Sequence, residues 1–215
     1  MTESRTEILV PGPAEALAGL LDVDPPDAEL PPLWHWVYLL DRRPHRDLGA
    51  DGHPTRGIPE PPGPGRMRMF AGGRVRTRGP LRLGAPATRT SRVVGSVQKP
   101  GRSGALTFVT VRHEYGQDGA TAIVDEQDIV YRAPDGSPPA PRQPRLAGDG
   151  VRLQADTALL FRFSALTYNA HRIHYDRPYA TTIEGYPGLV VHGPLQAMAL
   201  AELCRRHRPC TARRP

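Results

Sequence analysis

Lysine is almost missing from this 215-residue chain: of its 28 basic residues only Lys99 is a lysine. Basic nucleic-acid binders draw on lysine and arginine together, so a net charge of +6 carried by arginine does not point to nucleic acid. An arginine-, alanine-, proline- and glycine-rich chain reads as GC-rich coding bias, and its charge suits an anionic small molecule equally well. Cysteine is scarce too, and two residues exclude a disulfide scaffold. Cys204, His207 and Cys210 form C-x2-H-x2-C, but no fourth ligand closes a zinc site nearby, so the cysteines read as ordinary reduced thiols. No apolar run approaches the ~20 residues needed to cross a bilayer. The opening MTESRTEILV carries charges where a signal peptide keeps its apolar stretch. The expectation is a soluble, cytoplasmic protein with neither membrane nor nucleic acid as partner.

Glycine (22) and proline (25) are abundant without reaching the ~25–30% of disordered chains. They suggest long loops on a folded scaffold. A helix is expected after Pro11-Gly12-Pro13, over AEALAGLLDV, with Pro13 in the first turn. Leu33–Leu40 is ambiguous. Trp34, Trp36, Tyr38 and Leu40 alternate as in a strand, while Leu33, Trp34, Val37 and Leu40 repeat as in a helix. Either way its two tryptophans read as core. Residues 41–66 read as a loop. Ala87–Val94, Leu106–Tyr115 and Thr121–Tyr131 read as three strands joined by turns, an antiparallel meander.

Residues 133–150 (APDGSPPAPRQPRLAGDG) have the composition of a linker and divide the chain into 1–132 and 151–215. A strand is expected within Val151–Phe163, followed by a polar, histidine-rich segment. Leu195–His207 reads as a helix with Leu195, Met198, Ala199 and Leu203 apolar. Pro194 stands at its start and Arg205, Arg206 and His207 at its end, where the helix dipole favours positive charge.

Chemistry concentrates in 161–194. Asn169, His171, His174, Tyr175, Asp176 and Tyr179 fall within eleven residues, and His192-Gly193-Pro194 opens the last helix. A helix N-terminus presents unpaired N–H groups to a developing oxyanion, and glycine lets a ligand approach the backbone. A nearby histidine moves protons at neutral pH. The pair suits activation of a carbonyl compound such as an acyl thioester. The competing readings are structural: a cap, a satisfied loop cluster, or H-x2-H metal binding by His171 and His174, which lacks a clear third ligand.

The segments SALTYNAHRIHYDRPYA and EGYPGLVVHGPLQA resemble the MaoC-like hydratase/dehydratase family, in the branch of mesaconyl-C4-CoA hydratase and mitochondrial type 2 3-hydroxyacyl-thioester dehydratase. PPLWHWVYLLD, the loop LGADGHPTRGIPEPPGPGRMRMFAGGR, ATRTSRV, GRSGALTFVTVRHEYG and IVDEQDIVYR resemble the same branch's N-terminal domain. The resemblance implies an α+β double hotdog, each domain an antiparallel sheet wrapped round a central helix. Leu33–Leu40 would be the buried helix of the first hotdog (1–132), and Leu195–His207 that of the second (151–215). It implies reversible addition of water to an enoyl thioester, with no cofactor, no metal and the thioester carried by CoA or an acyl carrier protein.

By the same resemblance His174 is the catalytic histidine, Asn169 stands where most relatives have aspartate, and the Gly193 N–H polarises the thioester carbonyl. Tyr168, His171 and His192 would assist. Relatives continue with further strands after the last helix, so the second hotdog is expected to be truncated. Leu195, Met198, Ala199 and Leu203 would then need cover from a partner chain in a homo- or hetero-oligomer, or from the first domain. A non-catalytic thioester-binding or partner-completing subunit is the alternative function, and a thioesterase a third.

Overall fold

The computed structural model describes residues 1–63, 67–101, 104–132 and 153–207. The proline-rich stretch 133–150 and Cys210 lie outside them.

Five strands form one antiparallel sheet: β1 (Thr2–Ile8), β2 (Met67–Thr77), β3 (Pro86–Gly101), β4 (Gly104–Gln117) and β5 (Ala120–Arg132), in the order β1-β3-β4-β5-β2. The three expected strands are the meander β3-β4-β5. Along β4 the side chains of Thr107, Val109, Val111 and Tyr115 turn inward. Thr110, Arg112 and Glu114 alternate with them on the outer face, where Arg112 and Arg74 pair with Glu126, and Arg92 with Glu114. That period of two is the pattern of a sheet with one face wet and the other covered.

Helix α1 (Pro11–Leu21) follows β1 and is the apolar helix expected from AEALAGLLDV. Val10 offers no capping side chain. The Tyr38 hydroxyl takes that place, accepting the Ala14 N–H (3.1 Å) and donating to the Val10 carbonyl (2.8 Å). Burial pushes the Tyr38 hydroxyl up to about 12, so it keeps its proton.

Two sequence expectations need correction. Leu33–Leu40 is not a central helix: it contains a single 3-10 turn, Trp34–Val37, closed at both ends by residues in other conformations. Leu33 and Leu39 adopt left-handed φ values of 70° and 54°, which an α-helix does not admit. In this half of the chain the helix that packs into the core is α1. The second correction is the strand sought within Val151–Phe163. Thr157–Leu166 is helix α2, and Asp156 caps it by accepting the Leu159 N–H at 2.8 Å. Its buried Leu160, Phe163 and Ser164 follow helical spacing.

Helix α3 (Gly193–His207) matches the expected last helix. Leu195 and Met198 are fully buried in one core with Leu17 of α1, Trp34, Tyr115 of β4 and Phe163 of α2. The cover foreseen for this helix therefore comes, for those two residues, from the rest of the chain. Glu202 on the same face is buried as well. It accepts the Trp34 indole N–H at 2.9 Å and pairs with Arg205 at 2.7 Å, so its charge is compensated.

Candidate active site

One cavity of about 840 Å³ lies between the inner face of the sheet and the segments that cross it. Three parts of the chain build the polar end: the loop around 51–53, the turn 169–174, and 190–193 at the start of α3. The stretch 41–66, read from sequence as a charged loop, thus contributes His53 to the lining, with Asp51 hydrogen-bonded to it.

Helix α2 ends with Tyr168 in the left-handed conformation, φ 52°, a position where glycine is usual. The chain reverses there and presents Asn169. The Asn169 side-chain carbonyl accepts the His171 N–H at 2.9 Å, so it shapes the turn. Next comes a 3-10 turn, Arg172–His174, held to the loop by Arg172 N–H to Asp51 O (2.9 Å) and by the Arg172 guanidinium to Ala50 O (3.0 Å).

His174 donates from Nδ1 to the Val190 carbonyl at 2.7 Å. Its other nitrogen, Nε2, then carries the lone pair. Burial outweighs that hydrogen bond, and the neighbouring His171 adds to it, so His174 is pushed down to about 4 and is neutral at pH 7. His192 stacks on it, with ring centroids 3.6 Å apart, and meets Ser164 Oγ through Nε2 at 2.9 Å. His192 is pushed down to about 3, by burial first and then by His174 and His171.

The unexpected component is a carboxylate–histidine pair from the loop. Asp51 Oδ2 lies 3.0 Å from His53 Nδ1, and the His53 ring lies 4.0 Å from that of His171. Burial pushes His53 down to about 3 despite Asp51. Burial also opposes ionisation of Asp51, but the side-chain and backbone hydrogen bonds from His53 outweigh it and hold the carboxyl below its usual range. An ionised Asp51 therefore orients a neutral His53 with Nε2 free. His171 itself points its Nε2 at Glu184, 3.4 Å away.

Gly52 is what lets this loop dock. Its φ is +89°, and a Cβ there would lie 1.8 Å from the Ala170 carbonyl oxygen. Backbone cannot yield as a side-chain tip can. Gly52→Ala is therefore expected to destabilise the chain by at least about 2 kcal/mol and to pull Asp51 and His53 away from His171. The urea midpoint reads the first effect. An unchanged midpoint would mean that the loop does not pack there.

Gly193 opens α3, so its N–H has no partner within the helix. A Cβ at Gly193 would come within 2.6 Å of Phe70 Cδ1. Phe70 sits at the β-bulge where the β2–β5 register shifts between Phe70 and Gly72, and the bulge lets the edge strand close over the helix start.

Of the residues singled out from sequence, His171, His174 and His192 meet in one cluster, and Asn169 and Gly193 line the same cavity. Tyr168 lines it too, but is 57% exposed. Asp51 and His53 were missed, although ADGHP held the signal: a turn with a carboxylate and an imidazole two residues apart. Asp51, His53 and His171 hold ligand atoms all within 4.8 Å of one another. Such a trio could serve a cation, but its Asp51–His53 and His171–Glu184 contacts suit a hydrogen-bonded proton relay as they stand.

Residues 33–214 match the family described as hydroxyacyl-thioester dehydratase type 2. The chain is 52% identical, over 204 residues, to mesaconyl-C(4)-CoA hydratase of Chloroflexus aurantiacus, covering 90% of this chain and 73% of that protein. It is 24% identical to mitochondrial hydroxyacyl-thioester dehydratase type 2 of Schizosaccharomyces pombe, covering 86% and 70%. Among solved structures, HtdX of Mycobacterium tuberculosis matches with a TM-score of 0.62 at 15% identity, over 97% of this chain and 79% of that one. A MaoC-like dehydratase of Phytophthora capsici matches with a TM-score of 0.57 at 13% identity, over 96% and 74%. These structural likenesses establish a hotdog-like α+β fold.

Proposed function

This chain belongs to the hydroxyacyl-thioester dehydratase type 2 family and is an acyl-thioester hydro-lyase; we propose that it adds water to the C2–C3 double bond of an enoyl-CoA with His174 as general base. The observation that carries the assignment is the state of His174. It is neutral, its Nδ1 is committed to Val190, and its ring lines the cavity beside the start of α3.

The step follows from that geometry. In this reading the attacking water hydrogen-bonds to His174 Nε2, with His53 lining the same cavity. As its oxygen bonds to C3, His174 takes the proton, and the C2–C3 π electrons move toward the thioester carbonyl. The Gly193 N–H and the positive end of the α3 dipole stabilise the enolate oxygen. Return of the proton from His174 to C2 completes the addition with no proton gained or lost, and dehydration is the same path reversed. Asn169 cannot act as a carboxylate base. In this reading Asp51 supplies the negative charge from the other half of the chain and orients His53, while Asn169 holds the turn. His192 stacks on His174 and keeps it from tilting.

The Chloroflexus relative is named for a mesaconyl thioester, an unsaturated acyl group that keeps a free carboxylate. We extend that substrate class, a dicarboxylic enoyl-CoA, to this chain. We also read residues 151–215 as the part of a second hotdog that brings the catalytic motif to the cavity.

Enoyl-thioester absorbance on a panel of enoyl-CoAs tests the reading. The signal is expected to fall without release of free thiol. Thiol release in step with the loss would identify hydrolysis instead. An unchanged signal from the folded chain on every enoyl-CoA would overturn the proposal.

A further inference from the structure

Two guanidinium groups inside the cavity lack a counter-charge. Arg68 on β2 and Arg89 on β3 both line it and are partly buried. Neither forms an ion pair with a described residue. The carboxylates around the same space have other partners: Asp51 has His53, Glu184 has His171, Glu3 and Asp41 have Arg43, and Asp125 holds Trp36 and Gln127 through Oδ2 while its Oδ1 has no partner among the described residues. Arg89 Nε is moreover fully buried with no hydrogen-bond partner. A buried charged donor left unmet is unfavourable unless a ligand completes it.

Arg68 and Arg89 line the same cavity from strands that stand three places apart in the sheet. Both act on one side chain, His113 of β4, which burial and then Arg89, with Arg68 among the lesser causes, push down to about 4. Ser91, two residues along β3 from Arg89, lies 2.7 Å from His113 Nδ1. Arg68 also acts on His53. His53, His171, His174 and apolar Val111 and Ile129 line the same cavity as the two arginines.

We propose that Arg89 forms an anion subsite that holds the free carboxylate of a dicarboxylic acyl-CoA, at the end of the acyl group away from the thioester, with Arg68 adding positive charge to the same cavity. The planar guanidinium fork matches a carboxylate, and the low-dielectric floor strengthens the pair. This rests on the acyl-CoA reading of the site and adds the residues that select within it. A phosphate of CoA shares the chemistry, and the test separates the two.

Succinyl-CoA and butyryl-CoA have the same acyl length and differ in the terminal carboxylate, and neither can be hydrated. Calorimetry with the intact chain is expected to show succinyl-CoA bound about 10- to 100-fold tighter than butyryl-CoA, the value of one charge-assisted pair. Arg89→Met is expected to bring that ratio close to one, and Arg89→Lys to keep part of it. Equal affinities in the unaltered chain would overturn the subsite. So would a parallel loss for succinyl-CoA, butyryl-CoA and free CoA in Arg89→Met, which would assign the arginine to a phosphate. If Arg89→Met does not fold, the unaltered chain and Arg89→Lys still decide. Succinyl-CoA preference without hydration of any enoyl-CoA would sink the hydratase reading and leave the subsite standing. Hydration without the preference would do the reverse.

Discussion

Replacing His174 by glutamine is expected to lower kcat/KM for enoyl-CoA hydration at least about a thousandfold, near the upper range for loss of a general base. Glutamine keeps a neutral polar side chain of similar length, so the fold is expected to survive, and a melting temperature within a few degrees of the original is the control. His174→Ala should lose as much activity and more stability, because it removes the stack on His192 as well. The pH profile distinguishes a base from a support. With His174 pushed down to about 4, the rate should stay flat as pH falls from 8 to 6 and not drop near 6.5, where an ordinary histidine titrates. A glutamine variant retaining a tenth of the activity would remove His174 from the proton-transfer step.

Acid is the second large lever. Four histidines are held neutral by burial: His53 at about 3, His113 at about 4, His174 at about 4 and His192 at about 3. Their folded values lie below the ordinary 6.5, so the unfolded chain binds protons that the folded chain refuses. Stability from this source is complete above pH 6.5 and is lost as pH falls toward 4. Each histidine contributes up to about 1.4 kcal/mol per pH unit, so by pH 5 four of them amount to roughly 8 kcal/mol, comparable to the whole stability of a domain. The chain is therefore expected to unfold cooperatively between about pH 5 and 4. Urea midpoints at pH 7.5, 6 and 5 should show a shallow change first and a steep one after. A midpoint constant from 7.5 to 5 would mean that these rings are wetter than their packing implies.

The two expectations share a cause. The site keeps several imidazoles unprotonated by burying them together, and a cluster that serves as base at neutral pH becomes a liability in acid. Two carboxylates border it, Asp51 against His53 and Glu184 against His171. The buried imidazoles thus stay neutral, each with one nitrogen able to accept a proton.

Local pattern alone determined the meander of β3, β4 and β5, because a period of two with turn residues between needs no distant partner to be recognised. The last helix was legible for the same reason, as was the first, which Pro13 and the apolar spacing announce. The SALTYNAHRIHYD and VVHGP segments were legible as chemistry, since a histidine cluster and a glycine at a helix start carry their meaning in residue type. The choice of strand or helix at 151–163, and of a long helix or a single turn at 33–40, was not. Both are short apolar runs whose period is ambiguous, and their conformation follows from what they pack against: Trp34 against Glu202, Leu160 and Phe163 against α1 and α3. Nor could composition place Asp51 and His53 in the site. They lie more than a hundred residues from His171, and the contact exists only because Gly52 has no side chain to hold the Ala170 carbonyl away. Sequence determined which groups can move a proton; tertiary packing decided which of them meet, and by burying them set the protonation states on which the chemistry depends.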